Sequence, residues 1–165
     1  MTIVSQAALR AAAAAFCLVS VAAPATATSC WTRADIAAAK VREMQTKLMV
    51  AALQCRAGGV DILASYNRFI RDGRPVLRSA NERLKAHFMA EGKSAGQQAY
   101  DRYTTALANS AGQIRLGSCA EASALAAEAA MAKRDLLSLA AREVAAPTLP
   151  SPPCLANDAV VLAAK

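Results

Sequence analysis

The chain has a single histidine, His87, and a zinc centre built from side chains needs three or four ligands. Its seven glycines are dispersed, so no Gly-rich turn is available to cradle a phosphate. No GxSxG-like elbow is present, and no cysteine sits in a recognisable nucleophile context. Acids are scattered, and no two share a helical face without an Arg or Lys nearby. Beyond the first residues, no stretch reaches the roughly 20 apolar residues of a membrane span. These absences leave no catalytic residue, metal site or cofactor to expect. Aromatics make up only 4% of the chain, and Gly and β-branched residues are few beside an excess of alanine. That balance favours helices over sheets.

What is present begins with an export pattern. Arg10 precedes Ala11–Val21 (AAAAAFCLVSV), an uncharged apolar run too short to cross a bilayer. Pro24 follows, and Ala25-Thr26-Ala27 has the small-x-small form of a signal peptidase site. Residues 1–27 therefore read as a signal peptide cut after Ala27. A lipoprotein cut before Cys30 is the rival, but Ala27-Thr28-Ser29 lacks the large aliphatic residue such sites favour. Cys30, Cys55, Cys119 and Cys154 remain after cleavage. Export and four cysteines together point to two disulfides in a periplasmic or secreted protein. The mature chain of roughly 138 residues is one domain. The expected architecture is all-α: a bundle of four to five helices over 28–146, then a Pro-rich extended tail, 147–165, tied by Cys154.

Helix signals are explicit. Thr32 and Asp35 form a capping box, with Trp31 and Ile36 spaced as a hydrophobic staple. Ala34, Ala38, Val41, Met44, Leu48, Ala51 or Ala52, and Cys55 then share one face until Gly58-Gly59. From Asp61 to Glu91, Tyr66, Ile70, Val76 or Leu77, Ala80, Leu84, and His87 or Phe88 hold a second face. Pro75 interrupts this stretch, giving two helices or one helix kinked near Gly73; the unbroken apolar phase favours the kink. Capping boxes at Ser94–Gln97 and Ser118–Glu121 open two more helices. The first presents Tyr100, Tyr103 or Thr104, Leu107 and Ala111. The second presents Leu125, Ala129, Ala132, Leu136, and Leu139 or Ala140. Pro147, Pro150, Pro152 and Pro153 exclude helix from the tail.

Disulfide pairing is constrained by helix length. Cys30 and Cys55 flank a helix whose rise separates them by roughly 37 Å, whereas bonded cysteines have Cα atoms about 5.5 Å apart. A kink at Gly73 brings Cys55 to Cys119 and Cys30 to Cys154, the favoured arrangement. A full reversal there pairs Cys30 with Cys119 and Cys55 with Cys154.

Two surface clusters are candidate binding sites. Arg71, Arg74, Arg78 and Lys85 fall within about 60° of one another on a helical projection, forming a basic stripe on a chain of mature charge about +6. An anionic envelope component or an acidic protein fits such a stripe, as does a merely solvated surface. Nucleic acid is not an expected partner, because no binding motif is present and export removes the usual targets. Tyr66, Tyr100 and Tyr103, with Asn81, are candidates for a shallow pocket; the plainer reading is tyrosines filling the core with hydroxyls at its rim. The helical phase turns His87 inward as a packed ring.

Cys30-Trp31, Leu53-Gln54-Cys55-Arg56, Tyr66-Asn67-x-Phe69, Leu84-Lys85-x-His87-Phe88 and Tyr100-Asp101-x-Tyr103-Thr104-Thr105 together resemble small exported helical, cysteine-containing proteins of Gram-negative bacteria with no assigned activity. The resemblance covers about Cys30 to Cys119. It implies export and a helical fold, and it carries no site residues. Three functions stay open: a non-enzymatic binding or interaction module, an inhibitor or immunity-type protein acting on another exported protein, and a small envelope enzyme using His87.

Overall fold

A computed structural model describes residues 30–113 and 119–154. The expected signal segment, the Ser118 cap and residues 155–165 of the tail lie outside the described residues. Six α-helices follow in order: α1 (Arg33–Ala57), α2 (Leu63–Asp72), α3 (Arg74–Met89), α4 (Lys93–Gln113), α5 (Cys119–Ala132) and α6 (Leu136–Glu143). A 3₁₀ turn, Lys133–Asp135, joins the last two. No strand occurs among the described residues; the nearest thing is a single parallel bridge between Trp31 and Pro153.

α1 is the axis of the molecule, packed on by α3, α4 and α6. It starts at the expected capping box: the Asp35 N–H donates to Thr32 Oγ1 (3.2 Å), and the Thr32 N–H donates to Asp35 Oδ2 (3.0 Å). Trp31, just outside the cap, is almost completely buried. Ala38, Val41, Met44, Leu48, Ala51, Ala52 and Cys55 are buried as the periodicity requires, while Ala34 is exposed. Ala39 and the polar Asp35, Glu43 and Thr46 are buried as well. The buried arc is wider than one stripe because helices and tail cover α1 from several sides.

α2 and α3 form one kinked element with Gly73 as its corner. The Gly73 N–H donates to the Phe69 carbonyl (2.8 Å), and the Leu77 N–H donates to the Gly73 carbonyl (3.0 Å), so the ladder survives the proline. Gly73 is needed there for space: a Cβ would lie 2.7 Å from the Phe69 carbonyl oxygen and collide with Leu136. The kink sends the two halves to different neighbours, α2 to α5 and α3 to α1 and α4. Phe69, not Tyr66 or Ile70, is the fully buried side chain of α2; those two are half-buried at its flanks.

Two expectations need correction. Ser94 does not precede α4 but lies inside its first turn, where the Gly96 N–H already donates to the Gly92 carbonyl (2.8 Å). Gly96 packs so tightly on the end of α3 that a Cβ would sit 2.8 Å from Met89 Cα. The segment after Cys119 is likewise not one helix. Lys133, at φ 42°, breaks it, so α5 stays on α2 while α6 turns onto α1. Ala122, Ala126, Ala129 and Ala130 are buried on α5, and Leu136, Leu139 and Ala140 on α6; Leu125 and Ala132 are only partly buried.

The disulfides are Cys55–Cys119 (Cα–Cα 5.6 Å) and Cys30–Cys154 (Cα–Cα 4.8 Å). This is the pairing that follows from a kink at Gly73. The tail over 147–154 carries no helix and runs back along α1. It is held by Thr148 N–H to Glu43 Oε2 (2.8 Å), Trp31 N–H to the Pro152 carbonyl (3.1 Å) and Cys154 N–H to the Trp31 carbonyl (2.9 Å). Alanine buries little surface, so each disulfide, worth about 2–4 kcal/mol, matters to such a core.

Candidate functional site

Two polar clusters reach the surface of α1, and they differ in kind. The first surrounds Asp35, which is 4% exposed. Its carboxylate accepts from the Thr32 hydroxyl (2.6 Å) and from Arg83 Nε (2.6 Å), and His87 Nδ1 lies 3.4 Å away. Burial pushes the Asp35 carboxyl upward, but hydrogen bonds from Thr32 and Arg83, with the Arg83 charge, outweigh it and hold it below the usual carboxylate range. The His87 side chain is only 8% exposed, and its ring lies against Trp31 with centroids 4.3 Å apart. Trp31 Nε1–H in turn donates to Ser151 Oγ in the tail (3.0 Å). A small cavity of about 180 Å³ adjoins His87, Phe88, Arg102 and Ser151. Thr32, Asp35, Arg83, Trp31 and Ser151 are thus joined by hydrogen bonds that tie α1 to α3 and to the tail.

The second cluster lies between α1 and α3. A shallow groove of about 410 Å³ is bordered by Arg42 and Gln45 from α1, Ile70 from α2, and Arg74, Leu77, Arg78 and Asn81 from α3. No carboxylate is among these residues. Gln45 Oε1 accepts from Arg42 Nη1 (3.1 Å), and Asn81 Oδ1 accepts from the Tyr100 hydroxyl. Arg42 Nε is buried and has no hydrogen-bond partner.

Arg42 joins the two clusters predicted from sequence. Burial pushes the phenol pKa of Tyr66, Tyr100 and, most strongly, Tyr103 above the ordinary tyrosine value, while the positive charge of Arg42 acts against the rise at all three. Tyr100 and Tyr103 are buried and Tyr66 half-buried, packed into the core beside Phe88 and Phe69. The Tyr103 hydroxyl is buried without a partner.

The four basic residues do not make one continuous row. Arg74 and Arg78 border the α1–α3 groove, whereas Arg71 lies with Arg68 and the exposed Met131 in a separate groove between α2 and α5. Lys85 Nζ is 5.7 Å from the centre of the Tyr100 ring, a cation–π contact. Arg71 and Arg78 pair with Asp72 (3.2 Å) and Glu82 (2.7 Å) on the surface. Arg42 was not among the residues singled out from the sequence. Its signal is a position next to Val41, which puts a cation at the edge of the buried face of the first helix.

Among the described residues no group of three His, Cys, Asp or Glu could hold a metal ion, and no helix is long and apolar enough to cross a membrane. No family model, curated protein or solved structure matches the chain.

Proposed function

We propose that this protein is exported and acts as a non-enzymatic binding module, docking a basic face on an anionic component of the cell envelope. The observation that carries this reading is the α1–α3 groove, bordered by three guanidinium groups and no carboxylate. Export is supported by the apolar run and small-x-small site of residues 1–27, and by two disulfides of the kind that persist in oxidising compartments. The enzyme alternative has less behind it, because His87 is packed between Trp31 and Asp35. A bundle strapped by Cys30–Cys154 and Cys55–Cys119 suits presentation of a fixed surface.

Co-sedimentation of the oxidised protein with lipid vesicles tests the reading. Vesicles containing phosphatidylglycerol should retain it, with retention falling steeply as salt rises, and pure phosphatidylcholine vesicles should not. Equal retention on both, or on neither, would contradict the proposal.

A further inference from the structure

We infer that the α1–α3 groove is a binding site for a phosphate group, with Arg42 as its fixed anchor and Arg74 and Arg78 as its adjustable outer contacts. This deepens the reading above and rests on it for where the ligand comes from.

The first argument is the condition of Arg42. It is half-buried, and its Nε–H is inaccessible and unpartnered. Among the described residues no carboxylate lies within ion-pair distance of it. Its neighbour Glu43 is taken up by Lys47 (2.8 Å) and the Thr148 N–H. The Nε edge of Arg42 is packed against the protein and fixes the side chain, its Nη1 donates to Gln45 (3.1 Å), and no anion balances its charge; an anion in the groove would supply that balance.

The second argument is a count of hydrogen-bonding capacity. The amide oxygens of Gln45 and Asn81 already accept, from Arg42 and from Tyr100. What each amide keeps free is its NH₂ group. The polar groups bordering the groove are therefore chiefly donors: two amide NH₂ groups and three guanidinium groups. A ligand rich in acceptors and negative charge fits, and a cation or an amine does not.

The third argument separates phosphate from carboxylate. The guanidinium groups come from two helices, so they approach along different directions. A carboxylate presents two oxygens in one plane, while a phosphate presents three around a tetrahedron. Arg78 is held only by Glu82, in a pair with side chains 78% and 60% exposed, so little is lost when it turns to a ligand.

The test is an NMR titration of the ¹⁵N-labelled oxidised protein with inorganic phosphate, against chloride at constant ionic strength. In parallel, phosphatidylglycerol vesicles are added. Saturable shifts at the amides around Arg42, Arg74 and Asn81 are expected. Arg42→Gln should weaken binding about tenfold, the worth of one charge-assisted contact, and Arg68→Gln in the other groove should not. If Arg42→Gln fails to fold, the exposed pair Arg74→Gln/Arg78→Gln carries the same expectation. Saturation by inorganic phosphate marks a site for free phosphate. A response at the same amides to vesicles alone marks a lipid headgroup. No saturable shift with either probe, or a loss equal in Arg68→Gln, overturns the site. Vesicle retention that persists without any groove response would overturn the site while leaving the broader function standing.

Discussion

Asp35 and Glu43 are both buried carboxylates on α1, about two turns apart, and they illustrate how polar side chains are used here. Each takes one donor from its own turn of chain and one from far away: Thr32 and Arg83 for Asp35, Lys47 and the Thr148 N–H for Glu43. Because the Asp35 carboxyl is held below its ordinary value, ionised Asp35 contributes stability above the ordinary carboxylate range. That contribution fades as pH falls through the lowered value. Asp35→Asn should therefore cost about 1–3 kcal/mol at neutral pH, and urea melts should find the gap from wild type closing in strong acid. A gap that widens on acidification would show that Asp35 is stabilised by something other than its charge. The two inner tyrosines make a sharper contrast. Tyr103→Phe removes a buried hydroxyl with no partner and should be neutral or stabilising by up to about 1 kcal/mol. Tyr100→Phe breaks the bond to Asn81 and should cost about 1 kcal/mol. The Thr32–Asp35 cap was legible in the sequence because its partners are three residues apart. Arg83 was not, since it reaches Asp35 from 48 residues away.

At the level of elements, the chain announces its breaks only where they are made by Gly and Pro. Gly73 and Pro75 mark the α2–α3 corner in the sequence, and the unbroken apolar phase implies a kink over a reversal. The break at Lys133 has no such marker. Lys133-Arg134-Asp135 contains nothing that forbids a helix, and the turn is imposed by α5 and α6 packing on different neighbours. The same reasoning explains Arg42: helical phase puts it beside the core, but only the packing of α3 and α4 makes its surroundings a groove of donors. Gly73→Ala tests the corner. With no room for a Cβ against Leu136 and the Phe69 carbonyl, it should destabilise by about 1–3 kcal/mol in urea titrations. A neutral Gly73→Ala would mean that the corner is soft.

Over the whole molecule, the disulfides close the chain at both ends of α1. Cys55–Cys119 joins residues 64 apart, and Cys30–Cys154 joins residues 124 apart. Cys30 and Cys154 flank the Trp31–Ser151 contact, so this bond also presses the tail onto His87. Replacing both of its cysteines by Ala should cost about 2–5 kcal/mol and expose Trp31 fluorescence to quenchers. An unchanged melt and unchanged quenching would mean that the tail contributes nothing to the fold. The pairing itself was within reach of the sequence, because helix length rejects one of three connectivities and the kink chooses between the rest. The groove was not, because it joins a cation on α1 to two on α3 across a contact that no local spacing encodes.

The functional account rests on where an anionic surface meets the protein. The most direct measurement is the map of amide shifts produced by phosphatidylglycerol bicelles on the oxidised ¹⁵N-labelled chain. The account predicts perturbations centred on Arg42, Gln45, Arg74, Arg78 and Asn81, with the Asp35–His87 cluster unmoved. Perturbations centred on His87 and Ser151, or spread evenly over every exposed Arg and Lys, would contradict it.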